Sequence, residues 1–127
     1  MAALTKEQII NDRDRTQKEI FRLQNEKTIK LEQREITVRD FNEITATQYE
    51  IQNKINALNV LLINKTFDSI TVGDDSPGAI LSASIDQLKK AVDKLDEVRD
   101  FLNAAAKLIN GLSAIIGVLV SLSGSII

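Results

Sequence analysis

Four carboxylates, Asp86, Asp93, Glu97 and Asp100, follow one another at spacings of seven, four and three and so fall on one face of a helix, while Asp74 and Asp75 stand together in a turn-rich stretch. Clustered carboxylates can bind hard cations or move protons. The residues that would complete either task are missing. No segment follows the EF-hand spacing, and with no His in the chain no Glu-x-x-His pair exists to finish a di-iron bundle. The same absence of His, together with that of Cys, removes Ser-His-Asp and Cys-His catalysis, zinc sites built on thiolate or imidazole, and any disulfide. No Gly-rich phosphate loop or nucleophile elbow is present. These carboxylates therefore read as a solvated face. The chain reads as a non-enzyme with no catalytic residue, no metal site, no cofactor and no evident small-molecule substrate.

The basic residues Arg13, Arg15, Lys18, Arg22, Lys27, Lys30, Arg34 and Arg39 are interleaved with as many acids between Asp12 and Glu43, the pattern of a salt-laced, solvent-exposed helix. Sixteen Lys+Arg against eighteen Asp+Glu leave a net charge of -2. Without surplus positive charge there is little counterion release to gain from a phosphate backbone, so nucleic acid is not an expected partner. Asn64-Lys65-Thr66 has the form of an N-glycosylation acceptor, which matters only in a secreted eukaryotic chain. The N-terminal MAALTKEQ leads into a charged amphipathic helix with no apolar signal core. Cytoplasmic synthesis is the default expectation, compatible with leaderless export or membrane association.

Among 127 residues, the first 72 hold neither Gly nor Pro; all five glycines and the one proline follow. Turn formers concentrate in DSITVGDDSPG, Asp68 to Gly78, which divides the chain into two long predicted helices joined by a loop at about 66–78. Helix 1 is predicted over about 5–65, opened by a capping box of Thr5 and Gln8. Helix 2 is predicted over about 77–127, with Ser76 as N-cap and Pro77 at N1.

Apolar positions then define a seam: Phe41, Ile44, Ile51, Ile55, Leu58 and Leu62 in helix 1 against Leu81, Ile85, Leu88, Val92 and Leu95 in helix 2, with one skip before Val98. The predicted fold is all-α, a single unit over 1–127: a long antiparallel two-helix hairpin, coiled-coil-like, with Leu62 beside Leu81 and Phe41 near Leu102.

Residues 108–127 carry no charge, and the narrow apolar stripe of helix 1 before Phe41 cannot cover them. Completion by other copies of the chain is therefore expected. The candidate oligomerisation or membrane-insertion residues are Leu102, Ile109, Leu112, Ile116 and Leu119 on a bulky face, with Ala106, Asn110, Ser113, Gly117, Ser121 and Gly124 on a face of small residues suited to close helix contact. Two functions fit. One is a self-assembling structural subunit whose C-terminal helix packs in the core of a homo-oligomer or filament. The other is a membrane-inserting, pore-forming component that uses the same helix against lipid, since twenty uncharged residues meet the length of a spanning helix. In general layout the chain resembles subunits of helical filaments and α-helical pore-formers, both of which pair a polar helix with an apolar one.

Overall fold

The computed structural model describes residues 2–72 and 77–122. Among the described residues there are four helices, rather than two: α1 (Lys6–Glu32), α2 (Val38–Asn64), α3 (Pro77–Asp93) and α4 (Val98–Val120), with short strands β1 (Ala2–Thr5) and β2 (Ser69–Val72). The fold is all-helical apart from that ribbon.

Helix 1 of the sequence reading is broken at 33–37 by two local signals that act together and involve no Gly or Pro. Arg34 takes a left-handed conformation, φ 59°, and the amides of Arg34 and Glu35 bond back to the carbonyls of Leu31 (3.0 Å) and Lys30 (2.9 Å). This is a Schellman closure with arginine where glycine is usual. The chain restarts at once: the Thr37 side chain accepts from the Asp40 amide while Asp40 accepts from the Thr37 amide, a reciprocal capping box. Thr5 and Gln8 form the same device at the start of α1. Since an L side chain in the left-handed region costs roughly 1–2 kcal/mol, Arg34→Gly is expected to stabilise the fold by about 1 kcal/mol, measurable by urea denaturation.

The skip between Leu95 and Val98 is a second corner and not a register shift. Helix α3 ends at Asp93, Leu95 plugs the corner fully buried, and Glu97 starts α4 without a side-chain cap. The segment expected to be loop includes β2, which pairs antiparallel with β1 from Ala2 opposite Val72 to Thr5 opposite Ser69. Leu4 and Ile70, opposite one another in this ribbon, are buried. Leu4 lies so close to α3 that a Cβ on Gly78 would stand 2.7 Å from its Cδ1, so a larger residue there would make the tip of the Leu4 side chain move. Ser76 lies outside the described residues.

The helices stand at the corners of a square in which α1 touches α2 and α3, α4 touches α2 and α3, and α2 and α3 are diagonal. Leu62 and Leu81 consequently do not face each other across a two-helix seam. Phe41, partly buried, and Ile44, Ile51, Ile55, Leu58, Leu62, Leu81, Ile85, Leu88, Val92 and Leu95, all buried, instead share one four-helix core with Ile9, Ile20 and Leu23 of α1.

Ion pairs mark the direction of α1 against α3. Arg15 joins Asp12 of its own helix to Asp86, and seven residues on Arg22 joins Glu19 (2.6 Å) to Asp93, so α1 and α3 run parallel. The four carboxylates expected to form a solvated face are all exposed, and Asp86 and Asp93 also pair with arginines of α1. Burial pushes the Asp12 carboxyl above its ordinary range, with Arg15 opposing.

Candidate functional site

Helix α4 buries Phe101, Ala104, Ala105, Leu108, Gly111, Leu112, Ile115 and Leu119 inside its own chain. This corrects the expectation that only one narrow stripe of the same chain faces the C-terminal helix and that other copies must cover the rest. Two further corners in the chain bring α2 and α3 to flank α4, and the surface left wanting cover shrinks to its outer side. Of the predicted bulky face, Leu112 and Leu119 are buried, while Leu102, Ile109 and Ile116 pack against the core with part of their surface outside. Of the predicted small face, Ala106, Asn110, Gly117 and Ser121 are exposed and Ser113 is half-buried; Gly124 lies outside the described residues. A Cβ built on Gly117 meets no atom within 4 Å, so this glycine fills no tight spot in its own chain. Gly111 differs: its Cβ would stand 3.4 Å from Leu81.

The outer side of α4 continues across a groove onto α2. At mid-height the groove has a volume of about 250 Å³, lined by Thr47 and Glu50 of α2 and Leu102, Ala106, Ile109 and Asn110 of α4. Towards the ribbon end, α2 from Ile55 to Asn64 and α4 from Leu108 to Val120 hold no charged side chain. Val60 is 54% exposed and Val120 60%, with Ile63, 74% exposed, at the edge nearer α1. Towards the other end the groove is lined by Arg39, Asp40, Glu43 and Arg99. Periodicity alone pointed to α4; the contribution of α2 was legible only as the uncharged run INALNVLLIN, of which the two-helix reading used Ile55, Leu58 and Leu62 as an internal seam and left the rest unassigned.

The opposite groove, between α3 and α4, is lined by Lys90, Lys94 and Lys107 together with Glu97 and Asp100, and its apolar part offers Ile80 as the large exposed side chain. Large exposed apolar side chains stand on every helix, Phe21 and Ile29 on α1, Val38 and Tyr49 on α2 and Ile80 on α3 among them; the uncharged stretches of α2 and α4 carry Val60, Ile63 and Val120. Among the described residues no group of three or more carboxylates is placed to hold a metal ion.

One buried cation stands apart. Lys27, 3% exposed, donates to Thr45 Oγ1 at 2.8 Å and lies 4.9 Å from the centre of the Phe41 ring. Burial holds its pKa below the ordinary lysine value of 10.5. A lysine depressed in the folded state weakens the fold while charged, and stability is regained as pH rises from the folded pKa towards 10.5. Lys27→Met is expected to add about 1 kcal/mol at neutral pH, the lost cation–π contact being smaller than the relieved desolvation, and to flatten the alkaline rise in stability. Thermal melts across pH 7–10 measure both effects.

No protein-family model, curated protein or solved structure matches this chain.

Proposed function

We propose that this protein is a non-enzymatic, self-associating structural subunit, and that its contact surface is the uncharged ribbon-end half of the α2–α4 face. The observation that carries the reading is the concentration of Val60, Ile63 and Val120, each more than half exposed, on neighbouring uncharged stretches of two helices. Such a surface is unfavourable to leave wet, and repeated copies of one chain cover it by symmetry with no other partner. The small side chains of Ala106, Ser113, Gly117 and Ser121 allow a neighbouring helix to come close. Sedimentation velocity of the purified chain in detergent-free buffer tests the proposal: concentration-dependent species larger than the monomer are expected, and a monomer throughout the micromolar to near-millimolar range ends it.

A second reading has one observation in its favour. Helix α4 is long and apolar enough to cross a membrane, judged by length and composition. On that reading the bundle opens, α4 enters lipid, and several copies form a pore. The burial of its bulky face in the bundle makes this the costlier reading, because the core must be dismantled first. Release of a trapped dye from vesicles, with co-flotation of protein, is its test.

A further inference from the structure

We infer that α1, together with β1, is a hinged cover: it lifts off the remaining three helices as a unit, turning at 33–37, at a lower free energy than complete unfolding, and so uncovers the apolar core. The inference stands apart from the self-association proposed above.

The four helices are not held alike. Of the seven side chains that α1 buries along 27 residues, three are apolar, Ile9, Ile20 and Leu23, and four are polar or charged, Asp12, Thr16, Glu19 and Lys27. The equally long α2 buries five, all apolar, and α4 buries eight residues out of 23 with no polar side chain among them. Helix α3, at 17 residues, buries at least five apolar side chains. Removing a helix from a bundle costs free energy in proportion to the apolar area returned to water, and α1 contributes the least of it.

What fastens α1 instead is polar. Against α2, Gln17 and Gln52 bond amide to amide at 2.9 and 3.0 Å, Gln48 donates to Gln24 at 3.0 Å and Lys27 donates to Thr45 at 2.8 Å. Against α3, Arg15 pairs with Asp86 and Arg22 with Asp93. A mutation that deletes one partner strands the other. When the whole helix leaves, water takes both sides of every pair, and only the small net worth of each is lost. Docking also leaves polar groups short: Gln48 Oε1 is buried with no hydrogen-bond partner among the described residues, and Asp12 and Lys27 lie where burial disfavours their charges. All three regain water when α1 lifts.

Two ties remain at the ends. The connection to α2, residues 33–37, stays intact as the hinge. The ribbon must part, which breaks four facing residue pairs and exposes Leu4. Against that cost, the 4 residues of β1 and 27 of α1 recover backbone entropy. Once undocked, a lone helix of this polar composition is marginal in water, so its amides exchange.

Native-state hydrogen exchange of the full chain in sub-denaturing urea, read residue by residue by NMR, tests the cover. Amides in the middle of α1, at Ile20 and Leu23, are expected to share one opening, with protection at least about tenfold below that of the slowest amides of α2 and α4 and a urea dependence roughly one third of theirs. A variant separates this opening from global unfolding. Ile109 lines the groove between α2 and α4, on the helix diagonally opposite α1, and is packed equally well whether the cover is shut or lifted. Ile109→Ala is expected to speed exchange of the slowest α2 and α4 amides about tenfold and to leave those of α1 within about twofold.

Two results overturn the inference. If α1 amides match α4 in protection and urea dependence, or quicken by the same factor in Ile109→Ala, α1 opens only with the whole molecule. If they exchange at scattered rates that urea does not alter, α1 frays residue by residue and does not lift. Neither result bears on self-association, which sedimentation decides separately.

Discussion

If the proposed self-association holds, replacing Val60 and Val120 together with aspartate is expected to abolish it while leaving each chain folded. Both side chains are more than half exposed in the single chain, so the substitutions remove little from its core. Helix propensity scarcely changes between Val and Asp, and the main intrachain penalty, an acid in the last turn of α4, is about 0.5 kcal/mol. In an interface the two carboxylates would be buried among apolar side chains with no base within reach. At about 2 kcal/mol each, the mutational cost of an unpaired buried polar group, the four carboxylates of a dimer, two from each copy, should weaken association about a million-fold. Sedimentation equilibrium measures the constant, and circular dichroism with urea melts verifies the fold. An association constant within a few-fold of wild type would show that this face is not the contact.

Arg22→Met is expected to be the most destabilising exchange of a partly exposed side chain, at about 3 kcal/mol. The Glu19 carboxylate is buried, with the residue 6% exposed, and its hydrogen-bond partners are the Nε and a terminal nitrogen of Arg22 at 2.9 and 2.6 Å. Removing the guanidinium leaves a carboxylate inside the α1–α3 joint with no compensating charge, which is the expensive way to break a buried pair. Asp93 and the Lys89 carbonyl also lose a donor, but Asp93 is open to water and costs little. Glu19→Gln in the Arg22→Met background should recover half or more of the loss, because the buried charge is then gone. Urea denaturation of the single and double variants gives the coupling; a loss below 1 kcal/mol for Arg22→Met would mean that Glu19 is solvated in the native state. Arg15→Met should cost less, since Asp12 stands 3.5 Å from its arginine and is only partly held by it.

The helical content and the core were legible because apolar periodicity is set by a physics common to all helix packings. Phe41 through Leu62 and Leu81 through Leu95 are inward whether their partner is one helix or three. The number of helices was not legible by the same route. The break at Gln33–Thr37 contains no Gly or Pro, and its cause is the pairing of a Schellman closure at Arg34 with a capping box at Thr37, each of which is weak as an isolated motif. Thr-x-x-Asp at 37–40 is the same device as Thr-x-x-Gln at 5–8, so the second helix start was written in a form already in use at the first. The skip from Leu95 to Val98 carried the right position and the wrong cause: a change of phase in an apolar stripe marks a corner as readily as a coiled-coil stutter. The ribbon was hidden because SITV and AALT are short, and pairing across most of a 127-residue chain leaves no local trace.

For the candidate site, placing Ala106, Asn110, Ser113, Gly117 and Ser121 on one face required only the helical repeat. Which way that face points depended on the positions of α2 and α3, and so on tertiary packing. Val60 and Ile63 were missed because the seam drawn through α2 drew attention to Leu58 and Leu62, their buried neighbours on the opposite side of the helix.

The ribbon also has a kinetic consequence. Each helical pair, α1 with α2 and α3 with α4, is joined by a connection of five residues or fewer and can collapse from contacts near in sequence, whereas β1 meets β2 only by closing a loop of more than sixty residues. Closing that loop spends chain entropy before the strand hydrogen bonds return anything, so it should follow the docking of the two pre-formed halves and not lead it. The buckle that fastens the first residues to the middle of the chain is then the last native feature to appear during refolding, and the first stretch of backbone to exchange its amides when the molecule breathes.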